Sequence, residues 1–286
     1  MVDNAHSQLV TCGTVFQGTC QSRRLSNISL YKTDVKPGSS NAFVASTDPS
    51  NPAVAFTAPG PSNNIRLYVG TDDQPTSSLY ASRQFTSGVT RRYLSGSDIF
   101  EIRHHYDGLG PFARLSQEAA TSPDFLVRYV AGFSVGNFSY FLSTQPAIYP
   151  PTSSTQRISK LSQVCHADQK FDSYVEMPIS CHVNGRNYNL VQAATVLQPG
   201  SRLASRLGVS VTEDLLVTAF YDNNSDSALC VYQLSDIRQR FTENIQTCYN
   251  SRTLLVGRQF HGGDRYCSSL PVSPLHVSLV VSQTWI

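Results

Sequence analysis

Short runs of alternating polarity, interrupted by clusters of turn-forming residues, dominate this chain. A period of two sends successive side chains to opposite faces of a sheet, so each run is expected to form a half-buried strand. The runs fall at residues 8–11, 53–57, 66–70, 125–133, 138–143, 174–178, 188–197, 215–221 and 228–232. Between them lie clusters rich in Pro, Gly, Asn and Asp at 47–52, 58–64 and 221–226, whose backbone preferences end strands and start turns. Two segments read as helices. Residues 203–207 follow Pro199-Gly200, and residues 235–248 place Ile237, Phe241 and Ile245 at four-residue spacing, with Ser235 as the expected N-cap. Many short strands with few helices imply an all-β sandwich, barrel or propeller. A chain of this length without an exact internal repeat favours the propeller. Two strand pairs echo each other loosely, AVAFTAPG with RLYVGT and VRYVAGF with FSYFLST. Each is expected to be the inner hairpin of one blade.

Composition excludes several classes. With 286 residues, 40% of them hydrophobic and 15% charged, the chain can bury a sizeable core and is not a disordered segment. The formal net charge is +2, and the densest basic pairs are Arg23-Arg24 and Arg91-Arg92. A nucleic-acid surface needs a stripe of Lys and Arg, which is missing. The most apolar stretch, 125–142, contains Arg128 and Asn137 and alternates in polarity, so it suits strands and not a membrane span. The opening MVDNAHSQLV has no basic start and no apolar h-region, so no signal peptide is expected within the chain.

Seven cysteines stand at positions 12, 20, 165, 181, 230, 248 and 267. None forms a CxxC pair, so structural disulfides are favoured over a zinc site. Asn-X-Ser acceptors at Asn27, Asn137 and Asn223 mark candidate glycosylation sites. Together these features favour an oxidising compartment. An odd cysteine count leaves one thiol without an internal partner, as expected of a fragment.

No catalytic, metal or cofactor site emerges. Neighbouring His104 and His105 in an extended segment point to opposite faces and poorly form one metal site. Cys165-His166 offers a thiol beside a base, but sequence neighbours rarely have the geometry of a nucleophile and its base. Asp98, Glu101, Asp168, Glu176 and Asp214 could be nominated as glycosidase carboxylates, yet no motif selects among them. Phosphate-loop, GxSxG, HExxH and dinucleotide fingerprints do not occur.

One motif is more specific: Cys12-Gly-Thr-Val-Phe-Gln-Gly-Thr-Cys20, followed by Arg23-Arg24-Leu25. Downstream come Val54-Ala-Phe-Thr-Ala-Pro-Gly60, Leu67-Tyr-Val-Gly70, Tyr129-Val-Ala-Gly-Phe133 and Phe138-Ser-Tyr-Phe-Leu142. Then follow Ile158-Ser-Lys-Leu-Ser-Gln-Val-Cys165, Ser173-Tyr-Val-Glu-Met-Pro-Ile-Ser-Cys181, Asp214-Leu-Leu-Val-Thr-Ala-Phe220 and Ser227-Ala-Leu-Cys230. In order and approximate spacing, over residues 8–250, this series resembles the extracellular sema domain of the plexin family, the A-type members in particular. The resemblance implies a β-propeller, seven-bladed in the family, of which this chain holds only part of the ring with short helical insertions. Residues 1–275 would be the partial sema domain, and 276–286, which resemble nothing in the family, an unassigned tail.

The resemblance also implies the disulfides. Cys12 would pair with Cys20, and the intervening glycines, Gly13 and Gly18, suit a chain that doubles back to bring Cα atoms within about 5.5 Å. Cys181 would pair with Cys230. Cys165 would pair with Cys267, which precedes Ser273-Pro274-Leu275 as the family pattern has it, leaving Cys248 alone. The segment between Cys248 and Cys267 looks shortened, so a Cys248–Cys267 bond with Cys165 free stays open.

In function the resemblance implies recognition and not catalysis, with no cofactor and no small-molecule substrate. The expected partner is a semaphorin, with receptor self-association or a co-receptor in addition, in cell-guidance signalling on the extracellular side of the plasma membrane. Membrane attachment would come from other parts of a type I receptor. Residues 95–145, central in the family's propeller, are the expected contact region, with no individual residue singled out. The alternatives are a sema-fold structural module without semaphorin affinity, and a secreted glycoside-processing propeller.

Overall fold

The computed structural model describes residues 1–14, 18–33, 44–72, 87–102, 110–115, 124–147, 151–222, 226–250, 259–260 and 279–281. Four antiparallel sheets succeed one another along the chain. The first is a meander of β1 (Val2–Asp3), β2 (Gln8–Cys12), β3 (Cys20–Arg24) and β4 (Asn27–Thr33). The second holds β5 (Ala53–Pro59), β6 (Ile65–Asp72), β7 (Ser87–Arg92) and β8 (Phe112–Leu115). The third holds β9 (Arg128–Val135), β10 (Phe138–Pro146), β11 (Arg157–Cys165) and β12 (Val175–Ile179). A small hairpin, β13 (Cys181–Val183) and β14 (Arg186–Tyr188), leads into the fourth sheet, β15 (Leu190–Leu197), β16 (Leu215–Tyr221) and β17 (Ser227–Gln233). Helix α1 (Ser201–Leu207) joins β15 to β16, and α2 (Leu234–Asn250) follows β17. Two short late strands return to earlier sheets: β18 (Gln259–Phe260) lies parallel to β8, and β19 (Leu279–Val281) runs antiparallel to β17. Four-stranded sheets stacked in sequence are the blades of an incomplete β-propeller.

Alternation within each middle strand explains how the blades cohere. On β6, Leu67 and Val69 point to a core shared with the first sheet, where Val10, Cys20, Leu94 and Phe100 meet them. Tyr68, between them in sequence, points the other way, into a core with Val89, Tyr129, Phe141 and Val164. On β10 the same division sends Phe141 to that second core, and Tyr140 and Leu142 to a third, with Leu161, Leu216, Phe220, Ile237 and Phe241. Each middle sheet is therefore apolar on both faces, and one core fills each space between successive sheets. The first strands β5, β9 and β15 also touch one another in series. Gly132 on β9 permits this approach, because a Cβ there would lie 2.5 Å from the Phe56 ring on β5.

The basic pair Arg91-Arg92 obeys the same rule. Both side chains are buried, and adjacent strand residues face opposite ways. Arg92 donates from Nε to Thr90 Oγ1 (3.1 Å) and from a terminal nitrogen to Phe100 O (3.0 Å). Burial holds its guanidinium down to about 9. Arg91 reaches across to the third sheet, donating to Asp168 O (2.6 Å) and lying over the Phe171 ring. Arg91 thus ties the second blade to the third, while Arg92 fastens the turn that follows its own strand.

The paired runs 53–60 with 66–71 and 127–133 with 138–144 do form antiparallel hairpins, β5–β6 and β9–β10. Three expectations need correction. The run 125–133 becomes a strand only at Arg128; Phe125 and Val127 are fully buried core residues before the ladder begins. The run 188–197 divides at Asn189, whose carbonyl accepts from Ser159 Oγ (2.7 Å) and whose Nδ2 donates to Arg157 O (2.8 Å). These bonds pin the corner where β14 turns into β15. Finally, Ser235 does not cap its own helix. α2 begins at Leu234, and the Ser235 N–H donates to Glu213 Oε1 (3.0 Å), so the capping carboxylate comes from the loop that precedes β16.

The disulfide frame and the candidate recognition surface

Cys12 and Cys20 end β2 and begin β3 as direct ladder partners, and the two are joined by a disulfide with Cα atoms 4.0 Å apart. The connecting turn is anchored at Gly18 (φ 70°), whose carbonyl accepts the N–H groups of Val44 and Ala45. A side chain there would collide with Ala45 O, so the position demands glycine on two counts. Cys181 and Cys230 are also disulfide-bonded, with Cα atoms 5.9 Å apart. This bond is fully buried in the third core and ties β13 to β17. Cys165 is half-buried and carries no disulfide among the described residues. Cys267 and the Cys248 side chain lie outside those residues, as do Asn223 and the pair His104-His105.

The sequons at Asn27 and Asn137 stand on exposed backbone. Asn137 forms the tip of the β9–β10 hairpin beside Gly136 (φ 59°). The sequon's serine, Ser139, is buried, and its Oγ lies 3.1 Å from His166 Nε2, with Ser134 Oγ at 3.2 Å from the same nitrogen. His166 also donates its N–H to Asn137 O (2.9 Å), so one residue steadies the hairpin tip by backbone and ring.

Burial holds the His166 imidazole below its ordinary value of 6.5, and Arg91 adds like-charge repulsion. The unfolded chain then binds a proton that the folded chain refuses, and stability is lost as pH falls below 6.5. Denaturant melts between pH 7.5 and pH 5 are expected to show that loss, and His166→Gln to flatten the slope in this window. An unchanged slope in the variant would contradict the assignment.

Of the nominated carboxylates Asp98 and Glu101 share one turn, and among the described residues no group of three or more His, Cys, Asp or Glu gathers. Asp168 caps its own loop, accepting from the Lys170 N–H (2.9 Å) and from both the N–H and Oγ of Ser173 (2.7 Å each). Glu176 faces Lys160 at 3.3 Å across the β11–β12 ladder, in contact by distance but not aligned as a hydrogen bond. Its burial raises the carboxyl above the usual range, and Lys160 opposes that. Asp214 accepts from Gln198 Nε2 (3.3 Å), and Asp98 from Ser97 Oγ (2.8 Å). Glu101 donates its N–H to Asp98 O in a turn. Asp98, Asp168 and Asp214 hold nearby turn or loop groups, and Glu176 faces the neighbouring strand.

Within 95–145 the described residues form the turn 95–101, β8, β9 and β10. Phe100 is fully buried at positive φ (66°), and its N–H donates to Tyr93 O (2.8 Å) while its carbonyl receives Arg92. That anchor presents Ser95, Gly96 and Ser97 to solvent, and Gly136 and Asn137 project from the next blade. Rigid blades offering short exposed turns give a surface suited to recognising another macromolecule.

A Sema domain family model matches residues 191–274. Plexin-A4 of Mus musculus is 30% identical over 286 aligned residues, covering 94% of this chain. Plexin-A3 of Homo sapiens is 30% identical over 274 residues and covers 90% of it. The chain spans about 15% of the length of the curated relatives it matches. Among solved structures, the plexin A4 extracellular region superposes with a TM-score of 0.75 at 27% identity, covering 96% of this chain and 32% of that one. Drosophila Semaphorin 2a shares the fold, with a TM-score of 0.57 at 17% identity, covering 95% of this chain and 44% of that one. No helix among the described residues is long and apolar enough to cross a membrane. Four successive blades, disulfides at Cys12–Cys20 and Cys181–Cys230, and these matches agree: the chain has the fold of a partial sema-type β-propeller and is similar to the extracellular sema region of A-type plexins.

Proposed function

We propose that this chain is an extracellular recognition segment of a plexin-type receptor, binding the sema domain of a semaphorin on the outer side of the plasma membrane in cell-guidance signalling. The observation that carries the reading is similarity to Plexin-A4 along 94% of the chain. Residues 1–275 serve as the partial sema domain, and the contact surface lies within 95–145, where turns from the second and third blades come forward. Its work is binding, with Asp168 and His166 engaged in structural bonds. A stable contact of this kind buries at least roughly 1,000 Å².

The test extends the chain with plexin-A4 blades to a closed propeller and measures semaphorin binding by surface plasmon resonance. Affinity in the micromolar range or tighter is expected. A folded, closed propeller that binds no semaphorin at micromolar concentration overturns the reading.

A further inference from the structure

β4 is the outer edge of the first sheet, and among the described residues β3 is its only strand partner. Residues 27–32 are all exposed, so both faces of the strand meet solvent as well as its free edge. Three large apolar side chains stand there: Ile28 at 58% exposure, Leu30 at 49% and Tyr31 at 54%. A seven-residue edge of this kind, paired among the described residues on one side only, with Ile28 O taken by Arg23 and the Ser29 N–H by Asn27, still offers main-chain groups between apolar side chains as a template for adding a foreign strand. Of the usual protections, the β3–β4 ladder has register shifts at Ser22–Arg24, but charge is thin. Lys32 is the one charge on β4, and its Nζ is drawn back to His6 O (2.8 Å). Arg23 covers one face of Tyr31 through a cation–π contact (4.2 Å) and a hydrogen bond to its hydroxyl (3.0 Å), and donates to Ile28 O (2.9 Å), while the Ile28 and Leu30 side chains stay exposed.

The first residue of this strand is the sequon asparagine. Asn27 pairs with Arg24 across the turn 25–26, and its Oδ1 accepts the Ser29 N–H (3.0 Å). Ser29, the sequon hydroxyl, is itself exposed.

We propose that Asn27 carries an N-linked oligosaccharide whose role is to block strand addition at the open edge of β4. In the modification, Asn27 Nδ2 bonds to the anomeric carbon of a sugar held on a lipid pyrophosphate. The carbon–oxygen bond to the pyrophosphate breaks, the lipid pyrophosphate departs, and the amide nitrogen loses one proton to a base. A branched polar group at the start of the strand hinders an incoming chain whichever sheet face it approaches from. The inference is independent of semaphorin binding and needs only passage through a secretory compartment.

The experiment expresses the full 286-residue chain behind a secretion leader in a mammalian host. Glycopeptide mass spectrometry is expected to find Asn27 occupied in the secreted monomer. Asn27→Gln, and separately Ser29→Ala, which keeps the Asn27 side chain, are expected to raise the dimer and higher-order fraction several-fold by light scattering. Enzymatic trimming of the folded wild-type protein to one sugar gives the same rise without any demand on folding. Ile28→Ser with Leu30→Ser on the Asn27→Gln background restores the monomer, while Asn137→Gln alone changes nothing. An unmodified Asn27 in secreted monomer, a glycosylated protein that already dimerises through β4, or loss of the glycan without added self-association overturns the proposal.

Discussion

Replacing Cys181 and Cys230 together by alanine is expected to lower stability by about 4 kcal/mol, the larger of the two disulfide effects among the described residues. The bond closes a loop with a sequence separation of 49, against 8 for Cys12–Cys20. On the chain-entropy account the longer closure restrains the unfolded ensemble more, giving about 4 kcal/mol for the first and about 2.5 kcal/mol for the second. Position enlarges the difference. Both sulfurs of the longer bond sit in the third core among Tyr188, Phe220 and Tyr232, so their loss also leaves a void. Equal losses in urea melts of the two double variants would show that the restraint is not entropic in origin.

Gly70→Ala is expected to cost about 3 kcal/mol, at the upper end for overpacking. A Cβ at that position would lie 2.6 Å from Tyr129 Cδ1, 2.9 Å from its Cγ and 3.0 Å from Phe141 Cδ1. The two rings are fully buried and meet edge to face at 6.2 Å, so neither has room to withdraw. Gly132→Ala makes the informative comparison. Its Cβ would approach Phe56 at 2.5 Å, but Phe56 is only partly buried and can swing toward solvent, so a loss of about 1 kcal/mol is expected. Denaturant midpoints for the two variants decide the matter; the reverse order would mean that the inner strands, not the space between blades, are the rigid part.

Why some strands were visible in the sequence and others were not has a physical reason. β5, β6, β16 and β17 alternate in ways a pattern can detect, because their polar positions reach solvent or their apolar positions are unbroken. β11 is different. It is a central strand, yet Ser159, Ser162 and Gln163 are buried on it along with Leu161 and Val164. Ser159 finds partners at the next sheet, the Asn189 carbonyl and the Val191 N–H, and Ser162 bonds to Phe141 O within its own sheet, so the period-two signal vanishes. β3, with sequence CQSRR, is likewise polar. It is held by the disulfide and by Ser22 Oγ donating to buried Gln8 Oε1.

The candidate surface was legible in a different measure. Cysteine pairing came from family resemblance, since spacing alone does not choose among seven thiols. The structural duty of Arg91 and Arg92 was hidden, because a basic pair looks the same in sequence whether it faces water or two separate cores. The only available clue was their place after Val89 in an alternating run, which opposes the two side chains. His166 was weighed as a base beside Cys165, but its ring lies against two serines of the hairpin β9–β10.

The division of β6 between two cores makes that strand a party wall. A substitution at position 67 or 69 loosens the junction on one side, whereas position 68 or 70 loosens the junction on the other. Damage to neighbouring codons can therefore detach different parts of the molecule, and the severity of a variant here is set by whether its residue number is odd or even.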